Sequence, residues 1–529
     1  MKKIIYFIAA GLAMSLSSCV SLDTPPMDSD TDLTFWTKPS AAEQTVNSCY
    51  QYMEDAGTVL YADAASDNAY CKVQNIIQAI GNGSYSTGDS YIKSYWDNRY
   101  TGIKLCNRLT DNIDKIVGME EGLRNRCIGE AKCIRAYHYF QLVSRFGDVP
   151  YFTSVLPIAD AGTIARTPKA EVIKNILQEL DEAAAVLPAS YSGDDQGRFT
   201  KWAAIALKAR IQLYEGNWAE VETLTNDIIN SGAFKLFGSY EGLFESVNKR
   251  NQEVILDVEY APMLREQSLQ YNFIPPTLGG YAQLVPLQEL VDSYIMLNGK
   301  SISESGSGFD SGNEFADRDP RLAATICYTG NSYNLAGGKT QTIDCSRNAS
   351  PDGLGFSSNC SPSGYYFKKY WDKDFNTNNN LASGMNIYLI RYADVLLMNA
   401  EAAAEQGKLT NAVWSKTIRP IRERAGFTEA SALDFPSASG SELINIVRNE
   451  RRCELAFEGL RMGDIYRWKT AEKVLSGWCH GAWTGETVNA DNGYIQVERR
   501  QFDASRHYLW AIPQQERDLN SALTQNPNW

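Results

Sequence analysis

Glu450, Glu454 and Glu458 recur at every fourth position of a segment that also carries Arg451, Arg452, Arg461, Asp464 and Arg467. On a helix this spacing stacks three carboxylates on one face, where they repel one another unless arginines such as Arg451, Arg461 or Arg467 sit between them. The chemistry implied is a structural ion network, which imitates the charge pattern of an active site without doing its work. The three histidines, His138, His480 and His507, are scattered, and His138 lies within the aromatic run RAYHYF, where a hydrogen-bonded core residue is expected. No phosphate-binding loop, HExxH, GxSxG or EF-hand pattern occurs. The sequence therefore nominates no catalytic residue, no metal ligand and no cofactor. Paired glycosidase carboxylates are defined by a separation of ~5–9 Å in the fold, so sequence spacing does not report them.

Aromatic residues are the second chemical resource: 29 Tyr, 19 Phe and 11 Trp in 529 residues. Tyr and Trp present flat apolar faces with a polar handle, which suits sugar rings when Asp, Asn or Arg stand nearby to meet the hydroxyls. Two stretches rich in Gly, Ser, Asn and Tyr offer these types. One runs from Asp63 to Tyr91 and supplies Asp67, Asn68, Tyr70, Tyr85 and Tyr91. The other, roughly 279–383, supplies Tyr281, Tyr365, Tyr366 and Trp371. These nine residues are the candidate ligand contacts, read as loop residues on a rigid scaffold.

The elements that must position them are helical. Gly129–Phe146 reads as a helix stopped by Gly147-Asp148-Val149-Pro150, and a second opens with Thr167 as N-cap and Pro168 at the first position and closes before Pro188. Lys201–Glu215 and Trp218–Ser231 form a helix hairpin about Gly216-Asn217, whose Ala203, Ala204, Ala206 and Ala209 allow the close approach seen in tetratricopeptide-like units. A second hairpin runs Arg391–Gln406, turns at Gly407 and continues from Leu409, with Trp414 placed as Trp218 is. Both tryptophans are expected to be scaffold residues. Ser439 and Glu442 have capping-box spacing before a further helix. The fold class is mainly α, with helix hairpins packed against an irregular, loop-rich part.

With 50 Lys+Arg against 63 Asp+Glu, the net charge of −13 argues against a nucleic-acid partner, which needs a basic face. Lys2, Lys3 and the apolar run to about Leu16 match a secretory signal, and Leu16-Ser17-Ser18-Cys19 reads as a lipobox whose Cys19 is acylated after residues 1–18 are removed. Residues 19–32 are an acidic, Pro-bearing tether. Of the ten cysteines beyond Cys19, Cys127 with Cys133 and Cys345 with Cys360 are pairing candidates in an exported protein, and buried free thiols are the alternative.

Several long segments in order resemble the SusD/RagB outer-membrane lipoproteins of Bacteroidetes over nearly the whole chain. They are the lipobox, EAKCIRAYHYFQLVSRFGDVP (130–150), RTPKAEVIKNILQELDEAAAVLP (166–188), RFTKWAAIALKARIQLYEGNW (198–218), RDPRL (318–322), IRYADVLLMNAEAAAEQG (390–407), RERAG (422–426), NERRCELAFEGLRMGDIYRW (449–468) and LWAIPQQERDLNSALTQNPNW (509–529). The resemblance implies an N-terminal helical part at 33–240 and a C-terminal part at 241–529 with a loop-rich insertion at about 279–383. It also implies a surface receptor that captures an oligosaccharide, or in RagB-like members a peptide, for a SusC-like TonB-dependent transporter, with no enzymatic step. A surface glycoside hydrolase is the contrasting class. The shared motifs belong to the scaffold, so no ligand residue is carried over by position. Pro420 departs from the pattern and is expected to kink the helix ending in RERAG.

Overall fold

The computed structural model describes residues 32–73, 76–373 and 383–529. Cys19, the signal segment and most of the tether lie outside the described residues.

Among the described residues, six helices of twelve residues or more build the first half: α1 (Pro39–Tyr50), α2 (Ser90–Asn112), α3 (Glu121–Phe146), α4 (Lys169–Val186), α5 (Lys201–Tyr214) and α6 (Trp218–Ser231). α3 packs against α1, α2 and α4, α4 against α5, and α5 against α6. The series then jumps along the chain, because α6 packs on α7 (Tyr392–Glu405) and α7 on α9 (Gly440–Glu454), with α8 (Ile418–Ala425) between them in sequence. The hairpin expected from residues 201–231 thus stacks directly on the helix expected from residue 391. Small residues make this possible: Ala203, Ala204, Ala206 and Ala209 are wholly buried. α7 is buried on all sides, as its nearly continuous apolar sequence requires.

Local chemistry explains the helix ends, with some corrections. Thr200 caps α5 by accepting from Ala203 N at 3.1 Å, and Gly232 ends α6 in the left-handed region at φ 66°. α4 begins one residue later than Thr167 predicts. Its cap is supplied from a distance, since the Asp148 carboxylate accepts from Lys169 N at 2.8 Å. Ser439 stands at the N-cap of α9 but makes no side-chain capping bond. Pro420 does not kink a helix: the chain breaks at Thr417, and Pro420 falls in the first turn of α8, where no preceding carbonyl needs its missing N–H.

Trp414 is fully buried and donates from Nε1 to Leu433 O at 2.8 Å, whereas Trp218 is only half-buried. His138 is completely buried, but neither ring nitrogen has a partner. It packs where Gly102 leaves room, since a Cβ there would lie 2.1 Å from its Nε2, and burial holds it neutral with a pKa well below the usual histidine range. All ten cysteines among the described residues are free and buried, so neither proposed pairing forms.

The β-structure is fragmentary except in one place. β1 (Ala69–Cys71) pairs with β3 (Leu284–Pro286), β2 (Val254–Val258) with β8 (Ile387–Arg391), β4 (Ile326–Cys327) with β7 (Tyr366–Phe367), and β5 (Ser332–Asn334) with β6 (Thr340–Thr342), all antiparallel. These short strands lie in or border the loop-rich region, as its lack of periodicity predicts. The exception is the long hairpin of β9 (Ser476–Glu486) and β11 (Gly493–Gln501), edged by β10 (Ala490–Asp491).

Candidate functional site

The glutamate face of α9 is an ion network, though other cations than those expected complete it. Glu450 meets Arg321 and Arg422, each at 2.7 Å. Glu454 meets Arg321 at 3.0 Å, Arg391 at 2.7 Å and Arg424, and Glu458 meets Lys369 and Arg391, each at 2.7 Å. The arginines of the segment face elsewhere: Arg451 to Asp394 and Asp464, Arg467 to Glu401, and Arg461 to Asp67. All three glutamates are buried, and burial alone would raise their pKa values. The surrounding guanidinium groups outweigh it and hold them below the usual carboxylate range. The network is closed by buried ion pairs and presents no exposed face to a ligand.

That network removes two of the nine candidates. Asp67 is buried beneath Arg452 and Arg461, and Asn68, also buried, accepts from Arg452 Nε at 2.9 Å and donates to Asp63 at 3.1 Å. Tyr85 is buried against Trp529 and His507, and Tyr91 lies in the first turn of α2, half-buried near Trp510. Tyr365 and Tyr366 are buried, their hydroxyls donating to Gln288 Oε1 at 2.5 Å and Asp352 O at 2.6 Å. Asp67, Asn68, Tyr85, Tyr365 and Tyr366 are buried, although Tyr365 also lines the cleft described below, and Tyr91 stays half-exposed.

The other three border one satellite core, made by Ile274, Val285, Tyr333, Ile343 and Tyr366 among others. Tyr70 and Trp371 pack half-buried against it; Trp371 donates from Nε1 to Asn334 O at 2.5 Å and meets Tyr333 edge-on at 5.3 Å. Tyr281 adjoins its Ala282 and is 41% exposed, with its ring 5.5 Å from that of Tyr271.

A more complete arrangement lies where the β9–β11 hairpin meets the loops of residues 314–365. A cleft of about 360 Å³ opens there, with Trp483 on the hairpin side and Phe315 and Tyr328 on the other. Phe315 and Tyr328 stack face to face, centroids 3.6 Å apart and 7° from parallel. Trp483 is 57% exposed, and its indole lies over the hairpin turn, donating to Asn492 O at 3.2 Å. Gly493 permits this, because a Cβ there would stand 2.3 Å from Trp483 Nε1. Arg347 forms a two-pronged pair with Glu486 at 2.6 and 3.0 Å, and Thr329, Ser346 and Thr484 add hydroxyls. Glu314 also lines the cleft, its carboxyl raised above the usual range by burial and by the charge of Asp292.

Three ties hold the hairpin in place. Arg500 donates to Ala69 O at 2.8 Å and to Ser66 O; His480 bridges Glu289 at 2.9 Å and Asp491 at 3.0 Å; Ala482 N donates to Ser363 O at 2.7 Å. The two carboxylates raise His480 to about 9, so it is charged at neutral pH. Sequence reading passed over Trp483 and its hairpin, although Asn492-Gly493 between two aromatic-bearing segments is a hairpin signal.

Residues 241–529 match the model of the SusD family. The chain belongs to the SusD family. Residues 23–213 match a second model, described as "Starch-binding associating with outer membrane". Two similar SusD relatives are SusD-like protein P25 of Formosa agariphila, 26% identical across 86% of this chain and 87% of its own, and the starch-binding protein SusD of Bacteroides thetaiotaomicron, 24% identical across 79% and 75%. A solved SusD-like carbohydrate-binding protein from Bacteroides fragilis superposes with a TM-score of 0.84 and 29% identity, over 93% of this chain and all of that one. The mainly helical SusD architecture expected from the sequence is thereby shown.

Proposed function

We propose that this protein is a cell-surface glycan receptor, anchored in the outer membrane through acylated Cys19, that passes oligosaccharide to a SusC-like TonB-dependent transporter without cleaving it. The observation that carries the binding reading is the cleft beneath Trp483. Aromatic faces on two walls remove the C–H face of a sugar ring from water, while Arg347, Glu486 and the hydroxyls pair with its polar edge, so that few buried polar groups go unmatched. Tyr281, 41% exposed with its ring 5.5 Å from that of Tyr271, offers a second open aromatic pair in the same part of the protein. The starch-binding and carbohydrate-binding relatives support the same ligand class.

The test is calorimetric titration of the purified protein with a panel of polysaccharides and peptides, with product chromatography on the same mixtures. Saturable binding of a glycan, lost in Trp483→Ala and without new products, is the expected result. Binding of peptides alone would move the assignment to a RagB-like receptor, and reproducible cleavage would restore the hydrolase.

A further inference from the structure

A second cavity, of about 250 Å³, lies between α3, the start of α4, α5 and residues 459–469, which include α10 (Arg461–Arg467). Its walls carry Arg145, Lys169, Arg210, Arg467 and Lys469 and no carboxylate, in a protein whose net charge is −13. Three of these cations are satisfied from outside the walls: Arg210 by Asp394 at 2.5 Å, Arg467 by Glu401 at 2.7 Å, and Lys169 by Glu215 at 2.8 Å.

Arg145 and Lys469 are different. No carboxylate among the described residues forms an ion pair with either. Arg145 is held in place by neutral groups, donating to Gln141 Oε1 at 2.5 Å with its guanidinium 4.9 and 5.5 Å from the Tyr95 and Trp510 rings. Lys469 adopts a left-handed backbone, φ 55°, and its ammonium sits 4.0 Å over the Tyr508 ring. The nearby Glu472 accepts from the Tyr508 hydroxyl. Partial desolvation of the ammonium and the like charge of Lys169 outweigh Glu472 and hold the Lys469 pKa below the usual lysine range, which an anion beside it would reverse.

Three wall residues also carry a deeply buried donor without a partner behind the cavity surface: Arg145 Nε, Arg210 Nε and the Tyr466 hydroxyl. An oxyanion accepts from several cationic donors at once, and the lining Arg145 and Lys469 are the ones that no carboxylate among the described residues pairs with. Backbone packing shapes the floor. Gly463 has no side chain because the Tyr214 hydroxyl lies 2.0 Å from where its Cβ would be.

We propose that this cavity is an oxyanion-binding site that takes a single carboxylate, sulfate or phosphate group. Its volume of about 250 Å³ lies just below the ~300 Å³ at which pockets for larger ligands begin, room for one oxyanion group and part of a small molecule that carries it. The site is separate from the Trp483 cleft and does not depend on the ligand assigned there. The oxyanion is either a free inorganic ion or the acidic group of a sugar.

The test titrates the detergent-solubilised full chain calorimetrically with sodium sulfate, sodium phosphate and sodium glucuronate at an ionic strength fixed by sodium chloride, with glucose as the neutral comparison. One-to-one binding of at least one oxyanion is expected, unchanged in Trp483→Ala and weakened at least tenfold in both Arg145→Gln and Lys469→Gln. Tighter binding of glucuronate than of sulfate and phosphate assigns a sugar-borne acid, and the reverse assigns a free ion. The proposal is overturned if no oxyanion binds above the chloride background, or if Lys469→Gln, an exposed substitution that leaves the core intact, binds as the parent does.

Discussion

Arg461 grips Asp67 with two parallel hydrogen bonds, Nε to Oδ1 at 2.7 Å and Nη2 to Oδ2 at 2.9 Å, across nearly four hundred residues of chain. Arg452 completes the clasp at 3.0 Å. The pair ties the segment before β1 to the charged helices of the C-terminal half, so a residue type suited to sugar hydroxyls is spent on tertiary structure.

Asp67→Ala is accordingly expected to lower stability by about 2–4 kcal/mol, because it leaves two largely buried guanidinium groups without their carboxylate. Chemical denaturation measures the loss, and glycan affinity of the folded fraction should be unchanged. A variant with parental stability and weakened binding would return Asp67 to the ligand site.

The His480 clasp makes a pH-dependent contribution. Its folded pKa, about 9, exceeds the unfolded value of ~6.5, so the stabilisation is fully present below pH ~6.5 and fades as pH rises through 9. The melting-temperature difference between parent and His480→Gln should therefore be largest near pH 6 and shrink toward pH 9.5. A constant difference across that range would contradict the charged clasp.

Trp483→Ala removes an exposed aromatic face and should weaken glycan binding about tenfold, the order of one stacking contact, at constant melting temperature. Gly493→Ala should reproduce much of that loss, since its Cβ displaces the indole and its backbone, φ 88°, disfavours a side chain. Titration of both variants against the parent gives the comparison.

Trp414→Ala should cost about 3–5 kcal/mol, the range for a fully buried large aromatic side chain. The half-buried Trp218 should cost clearly less when replaced by Ala. Equal losses in urea denaturation would show that their similar sequence settings do outweigh their different burial.

Mass spectrometry of the mature N-terminus should find Cys19 as the first residue carrying acyl chains. Cys19→Ala expressed without any SusC-like transporter should leave the membrane fraction, and retention there would refute the proposed lipid anchor.

Local patterns were sufficient for the helices. The small and apolar faces of α5 and α7 and the glycine after α6 show as local spacing, and periodicity records such patterns directly even where the partner helix lies far along the chain. The ion network was legible as a network, because three stacked glutamates demand compensation. Its partners were not legible, because Arg321, Arg391, Arg424 and Lys369 arrive from other parts of the chain.

The sequence by itself determined the helical scaffold, the SusD resemblance and the composition of the irregular region. Tertiary structure decided which aromatics remain open. Tyr365 and Trp483 have similar chemistry, yet one donates its hydroxyl to Gln288 inside the core and the other lies on a hairpin turn in solvent. Exposure depends on what long-range packing places over a side chain, and in loops without periodicity no local pattern encodes it. The oxyanion cavity has the same origin: Arg145, Arg210 and Lys469 each look like ordinary surface charges in sequence, and only the meeting of α3, α5 and the segment after α10 gathers them around one space.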